Sequence, residues 1–289
     1  MKPGLVAAVE RALGGTIRDA GSVSGGDIND AYRVTLADGR VVFVKANDRA
    51  DSAMFPAEAR GLTWLGDGRA LRTPAVLCVS EIGAEHPFLA LEYLAPASRV
   101  RDFDERLGRG LARLHGSGAP VFGLHFDNFI GRLPQSNSTR PSWVEFYREE
   151  RLLPQLELAR KARRASARME RGFERLFGCL DELVGPDEPP ARLHGDLWGG
   201  NLHVDERGEP CLIDPAPYGG HREVDLAMMR LFGGFGPSVF AAYDEVFPPS
   251  DGADRRVPLY QLYFLLVHVN LFGGSYVAGA ERALREALR

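Results

Sequence analysis

The chain has 289 residues, 45% of them hydrophobic, with a net charge of −4. Domains usually run about 100 to 200 residues, so this length predicts two lobes with separate cores, and the weakly negative balance excludes a general attraction to nucleic acid or anionic membrane. The three cysteines, Cys78, Cys179 and Cys211, are scattered without metal-ligand spacing and fit a reduced compartment.

In chain order, 2–13 predicts a leading helix. Its apolar part is too short before charge returns at Glu10 and Arg11 to be a signal peptide, so a cytoplasmic protein is expected. Ser24-Gly25-Gly26-Asp27-Ile28-Asn29 follows, a turn whose closely spaced N–H groups at Gly25 and Gly26 suit an anion; two glycines between strands also make an ordinary hairpin. The β-branched run Arg40 to Lys45 after Asp38-Gly39 predicts a strand ending on a lysine. Thirteen residues later Glu58 lies in 54–65, where Phe55, Leu62 and Leu65 recur at helical spacing on the same face. A carboxylate turned toward an apolar interior is costly without a partner, and Lys45 is the obvious one, although both groups would also be stable simply solvated.

Pro87 to Leu94 predicts a buried strand running into Ala95-Pro96, where the composition turns helical. The lobe boundary is placed there: 1–95 forms an α+β first lobe and 96–289 a mainly helical second one. Leu107, Leu111 and Leu114 carry the helical period onward from Asp102. The basic run Arg160, Lys161, Arg163, Arg164, Arg168 and Arg171 reads as a solvated helix face. The stretch 257–280 has no formally charged residue, yet Pro258, Gln261, His268, Asn270, Gly273 and Gly274 interrupt it, so it predicts a buried helix rather than a membrane span.

Most informative is Leu193-His194-Gly195-Asp196-Leu197-Trp198-Gly199-Gly200-Asn201, followed by Ile213-Asp214-Pro215. Asp, then Asn five residues on, then a second Asp after an apolar strand is the spacing by which kinase-like phosphotransferases assemble a base and two metal ligands. Phosphoryl transfer needs an oriented hydroxyl and neutralised nucleotide phosphates. Asp196 is the candidate base. Asn201 and Asp214 offer the hard oxygens that Mg²⁺ prefers, and Lys45, braced by Glu58, would reach the phosphates of ATP. The pair Gly199-Gly200 is expected to let the backbone bend through positive φ. Backbone groups at Glu92, Tyr93 and Leu94 suit an adenine edge, and Trp198 suits the face of a sugar. Asp127, Asn128 and His221 are weaker substrate candidates, since the first two also read as a turn and the third as a core histidine. Ten residues separate Asp214 from Asp225, too few for the long segment on which protein kinases dock a peptide, so a small acceptor is expected.

Ser24 to Asn29, Phe43 to Lys45, Phe122 to Gly131, Gln155 to Ala159, Leu193 to Asn201, Ile213 to Ala216, Gly220 to Met228 and Leu271 to Gly274 together resemble the fructosamine kinase (ketosamine 3-kinase) family over nearly the full length. The resemblance implies a two-lobed fold similar to protein kinases and aminoglycoside phosphotransferases, use of ATP and Mg²⁺, and phosphorylation of a free or protein-bound ketosamine on its third carbon. It also implies that Asp225 braces the catalytic loop. Asp27 stands where some relatives carry a cysteine, so disulfide control through that loop is not expected. An aminoglycoside or choline phosphotransferase and a non-catalytic nucleotide-binding pseudokinase are the alternatives. The oligomeric state stays open.

Overall fold

The computed structural model describes residues 1–23 and 29–289. Gly25, Gly26 and Asp27, and with them the proposed anion-cradling turn, lie outside the described residues. Pro3 at the first turn and Gly14 in the left-handed conformation delimit helix α1, Pro3–Leu13, the positions where a missing N–H and a missing Cβ are tolerated. Five antiparallel strands follow: β1 Ile17–Ser22, β2 Asp30–Leu36, β3 Val41–Ala46, β4 Val76–Val79 and β5 Phe88–Glu92, in the order β1-β2-β3-β5-β4. Alternation sorts their side chains. Val42 and Val44 pack with Leu5 and Val9 of α1 on one face, while Phe43, Leu89 and Leu91 meet Phe55 and Leu62 of helix α2, Met54–Gly66, on the other. This sandwiching fixes which way Lys45 and Glu58 face.

The rest of the chain is mainly helical, as expected. Helix α3, Phe103–Gly116, opens it, and a short hairpin of β6, Asn128–Ile130, and β7, Leu133–Gln135, follows. Helix α4, Trp143–Phe146, then runs through a π-helical stretch at Tyr147–Leu152 into α5, Leu153–Lys161. Arg151 within that stretch is wholly buried. It stacks 3.8 Å from the Tyr218 ring and donates to Ser136 O and Asn137 Oδ1, so its charge meets carbonyls and aromatic faces. Helices α6, Ala167–Gly178, and α7, Leu180–Leu183, lead to the short strands β8, Ala191–Leu193, β9, Leu202–Val204, β10, Pro210–Leu212, and β11, Tyr218–Gly220. Four helices close the chain: α8 Glu223–Phe232, α9 Pro237–Val246, α10 Ala253–Phe272 and α11 Ser275–Ala287.

Two sequence expectations change here. The uncharged stretch 257–280 is two helices, because Gly273 and Gly274 both take positive φ between α10 and α11. No helix among the described residues is long and apolar enough to cross a membrane. The basic run is also only partly a solvated face: Arg164 donates to Val269 O and Asn270 O at 2.7 and 2.6 Å, capping the end of α10, and Arg160 pairs with Glu170.

The strand-rich and helical parts are strapped together at one side of the cleft. Arg72 reaches Glu92 at 2.5 Å and Asp205 at 2.5 Å, and its carbonyl accepts from Leu212 N–H. Beside it His203 Nε2 lies 3.1 Å from Leu94 O. The β9–β10 hairpin, which follows the Asp-to-Asn turn directly, is thereby anchored to the end of β5.

Candidate active site

Strand β3 delivers Lys45 and helix α2 delivers Glu58, and their side chains meet at 2.8 Å with only 10% and 13% exposed. Lys45 also bonds Asp214. Burial alone would depress the lysine, but the carboxylates of Glu58 and Asp214 outweigh it and hold its pKa above the ordinary value. The ammonium therefore stays charged.

The turn after β8 is built on Asp225 of α8. Its wholly buried carboxylate accepts the N–H groups of His194 and Gly195 at 2.7 and 2.9 Å and lies 3.2 Å from His115 Nε2. Burial opposes the charge, yet His115, His194 and the Gly195 N–H together hold this carboxyl below its usual range. Gly195 has φ +81°, and a Cβ there would come within 2.0 Å of Ala216 O, so no side chain fits. We expect Asp225→Ala to cost about 1–3 kcal/mol for each backbone donor it leaves unpaired, read as a lowered urea midpoint at pH 7. An unchanged midpoint would remove Asp225 from this bracing role.

Asp196 and Asn201 close the site. The side-chain amide of Asn201 donates to Asp196 O at 2.8 Å and lies 3.4 Å from both the Asp196 carboxylate and Asp214 O. One amide thus links Asp196 to the backbone carbonyl of Asp214. Loss of solvent, and next the Asp214 charge, push the Asp196 carboxyl up to about 7. The pair Gly199-Gly200 forms a 3₁₀ turn rather than a positive-φ bend. Its glycines are needed for close approach: a Cβ on Gly199 would sit 3.0 Å from Gly234 Cα, and one on Gly200 would sit 2.3 Å from the Trp198 ring, while Gly199 N–H donates to Gly233 O.

Asn201 and Asp214 fit a divalent cation through hard oxygens. Among the described residues no three His, Cys, Asp or Glu side chains are grouped to hold a metal by themselves, and a two-ligand set completed by phosphate and water oxygens is how Mg²⁺ is commonly held. At the end of β5 two backbone groups are engaged: Glu92 N–H donates to Ala75 O, and Leu94 O faces His203. The Tyr93 ring carries the Arg33 guanidinium at 5.3 Å.

The substrate candidates separate. Trp198 is 43% exposed, so it does not fill the core. Asp127 is exposed and accepts from Asn137 N–H, ten residues on, at 2.8 Å. Asn128, 4% exposed, donates to Pro217 O, and His221, 2% exposed, stacks on Tyr260; both are built into the interior, away from solvent. The sequence reading missed an aromatic group at the ends of α8 and α10. His268 lies 4.5 Å from Phe232, 5.5 Å from Phe272 and 4.9 Å from Tyr276, and Phe272 is 65% exposed. Phe232 immediately precedes Gly233, which meets Gly199, so this group borders the Asp196 turn. Phe272 beside Gly273-Gly274 at the end of an uncharged run was the available signal.

The profile of the fructosamine kinase family matches residues 4–289. A probable ketoamine kinase of Synechocystis is 41% identical over 94% of this chain and 91% of its own. The chloroplastic protein-ribulosamine 3-kinase of Arabidopsis thaliana is 38% identical over 94% of this chain and 83% of its own. In crystal structures, a candidate fructosamine-3-kinase from Thermobifida fusca superposes with a TM-score of 0.89 at 40% identity, covering 98% of both chains. An aminoglycoside phosphotransferase, APH(4)-Ia, in a ternary complex with AMP-PNP and hygromycin B, superposes at 0.65 with 15% identity over 99% of both, which shows the shared two-lobed, protein-kinase-like α+β fold. A Lys–Glu pair from sheet and helix, an Asn201 amide that links Asp196 to the backbone of Asp214, and a match over nearly every residue point the same way, and the chain belongs to the fructosamine kinase family.

Proposed function

We propose that this chain transfers a phosphoryl group from ATP to the 3-hydroxyl of a ketosamine, a fructosamine or ribulosamine. Residues 1–95 form the nucleotide lobe in this reading, and 96–289 carry the base, the metal ligands and the acceptor site. The observation that carries it is the single amide of Asn201 spanning Asp196 and Asp214 while Lys45 bonds Asp214 and Glu58. That arrangement supports a base, a cation site and a phosphate-binding ammonium within one cleft.

Asp196 takes the proton of the acceptor hydroxyl as the hydroxyl oxygen bonds to the γ-phosphorus, and the bond from that phosphorus to the β–γ bridging oxygen of ATP breaks, releasing ADP. Lys45 binds the phosphates by charge. Asn201 and Asp214 would hold Mg²⁺, which would neutralise phosphate charge when bound. The amine side of the acceptor lies against Trp198 and the aromatic group around His268. A protonated secondary amine gains from such rings by cation–π attraction, and relatives named as ketoamine and ribulosamine kinases support the same class. The short connection from Asp214 to α8 supports a small acceptor group over a docked peptide.

Acceptor profiling tests this. With ATP and Mg²⁺, a small fructosamine or ribulosamine is expected to be phosphorylated far better than an aminoglycoside, choline or a peptide serine, with phosphorus NMR locating the phosphate on the third carbon. Phosphate on another hydroxyl, or an aminoglycoside as preferred acceptor, would reject the ketosamine reading and leave the kinase reading in place. No ATP consumption with any acceptor would favour a pseudokinase.

A further inference from the structure

We infer that Gln135, oriented by Tyr263, is a positioning residue for Asp214, acting through the backbone of Ala216 and Pro217. The inference rests on the proposed reading of Asp214 as a metal ligand and extends it to side chains outside the cleft. Asp214 has φ +53°, in the left-handed region. A residue with a Cβ persists there only where its surroundings over-determine it, and such strain collects at functional sites.

The upstream side of Asp214 is held within the site itself. Ile213 N–H donates to Asn201 O at 3.1 Å, and His194 Nε2 lies 3.0 Å from Ile213 O. Downstream the chain reads Pro215-Ala216-Pro217, and the two prolines have no N–H to offer. Ala216 N–H donates to His194 O at 3.0 Å, so further restraint on this side must come through carbonyl oxygens. Two side-chain amides from the β6–β7 hairpin supply it. Gln135 Nε2 donates to Ala216 O at 3.2 Å and Asn128 Nδ2 donates to Pro217 O at 2.9 Å.

The hairpin does not need these bonds for itself, because Asn128 and Gln135 already face each other as a strand pair. Gln135 Nε2 also donates to Asn128 Oδ1 at 2.6 Å, which leaves the Asn128 N–H donors for Pro217. Tyr263 of α10 completes the chain of donors: its hydroxyl donates to Gln135 Oε1, and this decides which end of the amide faces Ala216. All three side chains are at most 4% exposed. In so dry a setting each donor has few other partners, and a wrongly turned amide would face carbonyl against carbonyl. Helix α2 rests on the same segment, since a Cβ on Gly61 would lie 3.1 Å from the Pro217 ring. The helix that carries Glu58 and the hairpin therefore both bear on the turn that carries Asp214.

The test uses Tyr263→Phe, which keeps the ring and removes one hydroxyl, and Gln135→Glu, which keeps the shape and replaces a donor with an acceptor. Binding of a non-hydrolysable ATP analogue to the full chain is titrated against Mg²⁺ and, separately, measured in EDTA, with Asp214→Ala as control. Partners that orient metal ligands typically change metal affinity by about 10- to 100-fold. The Mg²⁺ midpoint is therefore expected to rise at least about tenfold in both variants, with affinity in EDTA within about twofold of wild type. An unchanged midpoint in Tyr263→Phe, or equal losses with and without metal, would overturn the inference and leave a purely structural role. If Gln135→Glu fails to fold, Tyr263→Phe alone decides. An Asp214→Ala protein with a normal Mg²⁺ midpoint would instead overturn the reading of Asp214 on which the inference stands.

Discussion

Asp196→Asn is expected to lower kcat by about 10²–10⁴-fold, the usual cost of removing a general base, while ATP affinity stays near wild type. The substitution is nearly isosteric and keeps an oxygen acceptor for the amide of Asn201, which lies 3.4 Å from the Asp196 carboxylate. Its effect on stability has the opposite sign. Folding raises the Asp196 pKa from 3.8 to about 7, by loss of solvent and then by the Asp214 charge. A carboxyl raised on folding binds its proton more tightly in the native state, so the stability it contributes is fully present below pH 3.8 and is lost as pH rises through about 7. Asparagine stays neutral and escapes that loss. The variant should therefore melt at or above the wild-type temperature at pH 8, with the gap closing toward pH 4. Turnover by coupled ATP assay and melting by calorimetry on the same sample separate the two effects. Wild-type kcat would remove Asp196 as the base, and a large drop in melting temperature at pH 8 would mean the lost activity reports unfolding.

Much of this site is legible in the sequence because its parts are local. Lys45 ends a β-branched strand and Glu58 sits on the apolar face of a helix, and a buried carboxylate there had few partners other than a strand-end lysine. The Asp196–Asn201 spacing lies within one turn, and Asp214 follows one hairpin later. What the sequence did not reveal depends on elements meeting across long separations. Asn128 looks like a turn residue until Pro217, 89 positions on, is seen to accept its amide hydrogen. His221 shows no sign in its neighbours that Tyr260 will stack on it. The aromatic group around His268 joins the ends of α8 and α10 to the start of α11, and no periodicity within one element encodes that meeting. Gly199 and Gly200 were recognisable as necessary, but for the wrong reason: what excludes a side chain is Gly234 and the Trp198 ring lying close by, and backbone propensity says nothing of either.

Lys45→Ala and Asp214→Ala are expected to weaken nucleotide binding in different ways. Lys45 acts by direct charge, so its removal should cost affinity with and without Mg²⁺, by about 1.5–3 kcal/mol for a hydrogen bond to a charged group. Asp214 acts through the ion. Its removal should abolish most of the gain that Mg²⁺ gives and change little in EDTA. The lysine variant carries a second signature. Lys45 pairs with Glu58 and lies between that residue and Asp214. Without it the buried Glu58 carboxylate loses its cation beside the more exposed Asp214, and breaking a buried pair on one side typically costs about 3–5 kcal/mol. Burial already pushes Glu58 upward, and only the lysine opposes that shift. In Lys45→Ala, Glu58 is expected to rise further and to fold preferentially as the neutral acid. Stability of the variant should then fall as pH rises and recover as pH is lowered toward the range where carboxylates protonate, which is the reverse of a protein losing a surface ion pair on acidification. Calorimetric titrations with and without Mg²⁺, paired with melting curves across pH, read both signatures. Equal losses under the two metal conditions in both variants would contradict the division of roles. A Lys45→Ala protein whose stability does not recover in acid would show that Glu58 finds another partner.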